Sequence, residues 1–83
     1  MEAKKAIILF RILDRDFEVD LEIPLDISAN ELVLALNEAY ALDIDVTDVK
    51  NCYMKAENPI TLLKGNKLLE DFGIHNGTII YTA

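Results

Sequence analysis

The sequence is poor in cysteine, histidine, basic residues, glycine and proline, and each shortage removes a class of function. A single cysteine, Cys52, excludes an internal disulfide and a cysteine-based zinc cluster, and suits a reducing compartment. A single histidine, His75, leaves little with which to activate a nucleophile. Basic residues number eight, scattered as Lys4, Lys5, Arg11, Arg15, Lys50, Lys55, Lys64 and Lys67, against fifteen Asp and Glu, for a formal net charge of −7. A nucleic-acid binder needs clustered cations to replace counterions on phosphate, and an anionic membrane surface repels the same charge. No apolar run approaches the roughly 20 residues of a membrane span. The run Ala6–Phe10 follows Lys4 and Lys5 but is cut by Arg11 with no small-residue cleavage site, unlike a secretory signal. The expectation is a soluble, cytoplasmic protein with no nucleic-acid partner and no direct membrane insertion.

Three glycines and two prolines leave no linker, repeat or low-complexity tract. What is abundant is apolar: 52% of the 83 residues are hydrophobic and 28% charged, which excludes disorder. The length predicts one domain over residues 1–83 with one modest core, because a chain this short buries only about 60–65% of its unfolded surface.

The first half reads as hairpin, then helix. Phe17, Val19, Leu21 and Ile23 alternate with Glu18, Asp20 and Glu22, the period of a half-buried strand. Ahead of it, Ala6 to Leu13 is apolar on both sides. Pairing Ile12 with Phe17 places Phe10 opposite Val19 and Ile8 opposite Leu21; a slip of one residue buries Arg11 instead. Asp14, Arg15 and Asp16 then form the turn, and Pro24 ends the second strand at an edge position. Ser28 and Glu31 have capping-box spacing, and Ala29, Leu32, Val33, Leu36, Ala39 and Tyr40 follow on one helical face. Leu42 to Val46 reads as an extended connection.

The second half reads as short strands and turns. Val49 to Ala56 is predicted as a strand, with Cys52 a small buried hydrophobe on it. Asn58-Pro59 breaks the chain, with Asn58 extended. Ile60 to Leu63 is a brief strand, followed by the turn Lys64-Gly65-Asn66. Leu68 to Phe72 is a helical turn stopped by Gly73. Asn76-Gly77 is a tight turn, and Thr78 to Tyr81 is the last strand.

This order of elements resembles the ubiquitin-like β-grasp: an α+β fold in which one helix crosses a mixed sheet made of a hairpin and two or three further strands. The ending Leu69-x-Asp71-x-Gly73-Ile74-x-Asn76-Gly77-Thr78-Ile79 is similar to that of the YukD/EsaB proteins. These are ubiquitin-like cytosolic accessories of bacterial type VII (ESX/Yuk-like) secretion systems. The resemblance implies a non-catalytic protein-interaction module whose partners are cytosolic parts of a membrane secretion complex. In related systems a similar domain forms the cytosolic part of membrane components. The resemblance also puts the 17–23 strand at an edge beside the 6–13 strand, itself beside the last strand. Glu18, Asp20 and Glu22 then form a solvated edge that discourages edge-to-edge pairing, a reading preferred to an acidic binding site. Ile7, Leu9 and Ile80 are expected to face outward on neighbouring strands, either as an exposed partner-binding patch or under a covering loop or tail. Ubiquitin commonly uses the corresponding face for its partners.

Conjugated modifiers and sulfur carriers of this fold work through a C-terminal Gly-Gly. This sequence ends Tyr81-Thr82-Ala83, so neither role is expected. No enzyme, cofactor or metal is expected either. Asp43, Asp45 and Asp48 fail the calcium-loop pattern, because Thr47, Asp48 and Met54 occupy its fifth, sixth and twelfth places. They read as a solvated loop or, alternatively, as an acidic dock for a basic partner of a regulatory or scaffolding domain. Asp71-Phe72-Gly73 spells the kinase magnesium tripeptide, but the other kinase motifs are missing.

Overall fold

The alternation in the first 24 residues builds a hairpin in one register. In the computed structural model, which describes residues 4–48 and 50–82, β1 (Lys5–Ile12) and β2 (Phe17–Pro24) run antiparallel. Ile12 pairs with Phe17, Phe10 with Val19 and Ile8 with Leu21, as the pattern requires. Leu13, expected at the end of the strand, instead opens a 3-10 turn through Arg15. Asp16 completes it with a left-handed φ of 50°, a conformation aspartate tolerates better than most residues.

Helix α1 (Ala29–Tyr40) begins as the capping signal predicts, with Ser28 Oγ accepting from the Glu31 N–H at 3.1 Å. The remaining orphan donors of the first turn are taken up by neighbouring segments. Ala29 N–H donates to Lys67 O and Asn30 N–H to Gly65 O, while Leu32 N–H makes the first bond of the helix itself, to Ser28 O. Ala29, Leu32, Val33 and Leu36 are buried, Tyr40 is half-buried, and Ala39 is exposed, off the expected stripe. The helix ends at Ala41, a left-handed position at φ 50° with no glycine to ease it. Arg15 from the β1–β2 turn holds this end, donating from Nη1 to Tyr40 O and from Nη2 to Ala41 O, each at 2.7 Å. A cation there also suits the negative end of the helix dipole.

After α1, Asn37 pairs with the backbone of Ile44 in both directions, at 3.0 and 3.2 Å, and so fixes the outgoing loop. Strand β3 is Met54–Glu57 and shorter than the run predicted from Val49, which itself lies outside the described residues. Asp48 is the reason. Its carboxylate accepts from Lys50 N–H and Asn51 Nδ2, and its carbonyl from the Asn51 and Cys52 N–H groups. Local bonds of this kind compete with a strand ladder. Cys52 is buried all the same, two residues ahead of the strand.

Strand β4 (Thr61–Leu63) pairs antiparallel with β3 across a turn containing a cis Asn58-Pro59 bond. Asn58 has a φ of +60° and not the expected extended conformation; its carbonyl accepts from the buried Thr78 hydroxyl at 2.8 Å. A 3-10 turn at Leu69–Phe72, stopped by Gly73, leads to β5 (Ile79–Thr82). Strand β5 runs parallel to β1 and antiparallel to β3, which completes a mixed sheet of order β2-β1-β5-β3-β4. Ile8, Phe10, Met54, Leu63, Leu69 and Ile80 meet the helix residues in one core.

Candidate functional site

Because side chains alternate along a strand, the residues between the core positions form the opposite, outward face of the sheet. On β1 these are Lys5, Ile7, Leu9 and Arg11. The registers extend them into cross-strand rows. Asp20, Leu9, Ile79 and Glu57 lie in one row across β2, β1, β5 and β3. Glu18, Arg11, Tyr81, Lys55 and Leu62 lie in the next, and Glu22 stands beside Ile7. Ile7 is 54% exposed, Leu9 and Ile79 are half-buried, and Leu62 is 46% exposed. Ile60, just before β4, is 89% exposed, an unusual state for an isoleucine.

Ile80 is a correction to the expected patch. It is 0% exposed. The parallel register sets Leu9 beside Ile79 and Phe10 beside Ile80, so Ile80 points with Phe10 into the core and Ile79 takes the outward place. A one-residue change of strand parity exchanges the two faces. Two adjacent isoleucines give the sequence no means of choosing between them.

The position of Ile7 is set from the far end of the chain. Asn76 Oδ1 accepts from Ile7 N–H at 2.8 Å, and Gly77 N–H donates to Ile7 O at 3.0 Å. Gly77 has a φ of +91°, which favours glycine. Thr78 follows with its N–H to His75 O and its carbonyl accepting from Leu9 N–H. The Asn76-Gly77 turn thus extends the β1–β5 ladder under the apolar patch. Along the β2 edge, Glu18 is bonded to Arg11 at 3.0 Å and Glu22 is paired with Lys5 at 3.5 Å. Asp20 and Glu57 form no ion pair among the described residues.

Asp43, Asp45 and Asp48 do not converge. Asp45 Oδ1 accepts from both the N–H and the hydroxyl of Thr47, at 3.0 and 2.6 Å. The Thr47 hydroxyl, then its N–H, holds the Asp45 carboxyl below the usual 3.8. The Asp48 carboxylate is committed to Lys50 and Asn51. Two of the three acids therefore serve the loop. Among the described residues no group of three or more His, Cys, Asp and Glu could hold a metal ion. His75 Nδ1 donates to Asn76 O at 2.7 Å, and Cys52 is buried. A second apolar exposure, Leu34 and Val46, borders a groove on the helix side with Asn30, Cys52, Lys64 and Gly65. No helix among the described residues is long and apolar enough to cross a membrane.

Several solved structures share this fold. The C-terminal ubiquitin-like domain of mouse tubulin-specific chaperone e superposes with a TM-score of 0.74 at 10% identity, covering 98% of this chain and 87% of that one. The ubiquitin-like domain of tubulin-binding cofactor B gives 0.70 at 20% identity, covering 96% and 89%. The UBL domain of Plasmodium falciparum Dsk2 gives 0.63 at 18% identity, covering 96% and 100%. At such identities the likeness establishes a ubiquitin-like fold and nothing about ligands. No curated protein matches the sequence. The profile of the family described as "WXG100 protein secretion system (Wss), protein YukD" matches residues 8–81, nearly the whole β-grasp including the Asn76-Gly77 turn. The chain belongs to the YukD family of ubiquitin-like proteins.

Proposed function

We propose that the protein acts as a single, non-catalytic interaction domain of a bacterial WXG100-type (type VII) secretion system. On this reading it sits in the cytoplasm and docks the outward face of its sheet onto a cytosolic part of a membrane component. The observation that carries the reading is the patch of Ile7, Leu9 and Ile79 on two parallel neighbours, with Ile7 54% exposed and anchored by Asn76. Apolar side chains grouped on an otherwise acidic surface mark contact sites more often than chance placement does. Ubiquitin-like domains of the YukD type are not an enzyme class, and the reading involves no reaction. Docking through Asp43, Asp45 and Asp48 ranks second, since two of those carboxylates are already bonded within their loop.

The test is capture of secretion components by the tagged protein from a lysate of its own organism, read by mass spectrometry. The wild type is expected to recover the membrane ATPase or another membrane component. Ile7→Asp/Leu9→Asp is expected to remain folded by circular dichroism and to lose that capture. Unimpaired capture by the folded double variant refutes the reading.

A further inference from the structure

The proposed docking face leaves its partner's chemistry open, and the row that crosses it supplies a constraint. Leu9 and Ile79 stand side by side in the middle of this row, with Asp20 beyond Leu9 and Glu57 beyond Ile79. Its neighbours on the same face are internally compensated: Glu18 by Arg11 and Glu22 by Lys5. Asp20 and Glu57 are exposed and have no ion pair among the described residues. The apolar centre is therefore bracketed by two uncompensated carboxylates, whose Cα atoms lie about 14 Å apart, three strand spacings.

We propose that this row recognises a protein segment with an apolar centre and a basic side chain at each end, the two cations about ten helical residues apart. The proposal rests on the docking reading above and specifies its partner. Charge complementarity carries it: a partner that covers Leu9 and Ile79 brings its flanks over Asp20 and Glu57, where cations are attracted and carboxylates repelled. The same argument disfavours a second copy of this chain, since two molecules of charge −7 would set acids against acids. Lys55 stands on the same face two residues from Glu57 and has no ion pair among the described residues. It weakens the Glu57 end, so Asp20 is the stronger of the two anchors.

Two 15-residue amphipathic helical peptides serve as probes. They are identical along a Leu/Ile face, one carrying Lys and the other Glu at both ends. Binding to the 83-residue protein is read by amide chemical shifts. The Lys-ended peptide is expected to bind more tightly, to shift Leu9, Ile79, Asp20 and Glu57, and to weaken as salt rises. Asp20→Asn/Glu57→Gln should weaken it roughly twofold to thirtyfold, as expected for losing two exposed charge pairs, with Asp20→Asn alone giving the larger share. Asp20→Lys/Glu57→Lys should reverse the preference toward the Glu-ended peptide.

Equal binding of the two peptides, binding of neither, or shifts confined to other surfaces overturns the proposal. So does self-association of the protein that Ile7→Asp abolishes. Capture of the secretion component separates this failure from failure of the docking reading. If Ile7→Asp/Leu9→Asp loses the component while Asp20→Lys/Glu57→Lys keeps it undiminished, only the charge pattern is wrong. If both keep it, the docking face itself is wrong.

Discussion

The Asn76 side chain accepts a hydrogen bond from the backbone N–H of Ile7 at 2.8 Å, joining residues 69 apart in sequence. The bond continues the β1–β5 ladder by one rung and fixes the backbone from which the most exposed apolar residue of β1's outward face projects. Asn76→Ala removes the acceptor and should lower stability by about 1 kcal/mol. It should also raise hydrogen exchange at the Ile7 amide above the level at Leu9. Asn76→Asp keeps an acceptor oxygen and should restore the protection. A purely steric role for Asn76 predicts no such rescue.

Arg15 clamps the end of α1 through Tyr40 O and Ala41 O, where a non-glycine residue adopts a left-handed backbone. Arg15→Ala should cost about 1–2 kcal/mol, reduced from the value of buried charged bonds by solvent exposure. Ala41→Gly should stabilise by about 1 kcal/mol, since glycine removes the penalty on the left-handed position. Urea denaturation of the two variants checks both signs.

The parity of β5 has an asymmetric consequence. Ile80→Asp places a carboxylate in the core beside Phe10 and should cost more than about 4 kcal/mol, enough to unfold most of the population. Ile79→Asp, on the opposite face, should cost about 1 kcal/mol and leave the circular dichroism spectrum native. Equal tolerance at the two positions contradicts the register.

Asp45 titrates below its usual value because the charged form accepts two hydrogen bonds from Thr47. A carboxyl whose folded pKa is depressed contributes stability above its unfolded pKa. That contribution disappears as pH falls through the lower, folded value. Thr47→Val removes the hydroxyl bond while keeping the backbone one. It should move the Asp45 midpoint upward, toward 3.8, in a carbon-detected NMR titration. The sensitivity is confined to the acid side, and stability near pH 7 should not vary with pH on account of Asp45.

The sequence made the hairpin and helix legible because each carried redundant signals. The register that sets Ile8, Phe10 and Ile12 opposite Leu21, Val19 and Phe17 buries the three β1 residues and leaves Arg11 outside, and Ser28 marks the helix start with a cap. The proposed docking face was legible only in part. Ile7 and Leu9 follow from the alternation of β1, but Ile79 and Ile80 are chemically identical, so the face of β5 depends on its parallel pairing with a strand seventy residues away. Ile60 reads as an ordinary strand residue in sequence, and its exposure arises only from the β3–β4 turn. The anchoring roles of Asn76, Asn37 and Arg15 depend on tertiary proximity, which no local pattern encodes. Lys50 to Cys52 lie in a run that reads as a strand in sequence but are diverted by bonds to Asp48.

The most direct test of the central claim is amide chemical-shift mapping of the labelled protein against the purified cytosolic portion of the membrane component it is proposed to dock. The account predicts shifts concentrated at Ile7, Leu9 and Ile79, with Leu34 and Val46 unmoved. Shifts concentrated at Leu34 and Val46, or along Asp43 to Asp48, with Ile7, Leu9 and Ile79 unmoved, would contradict it.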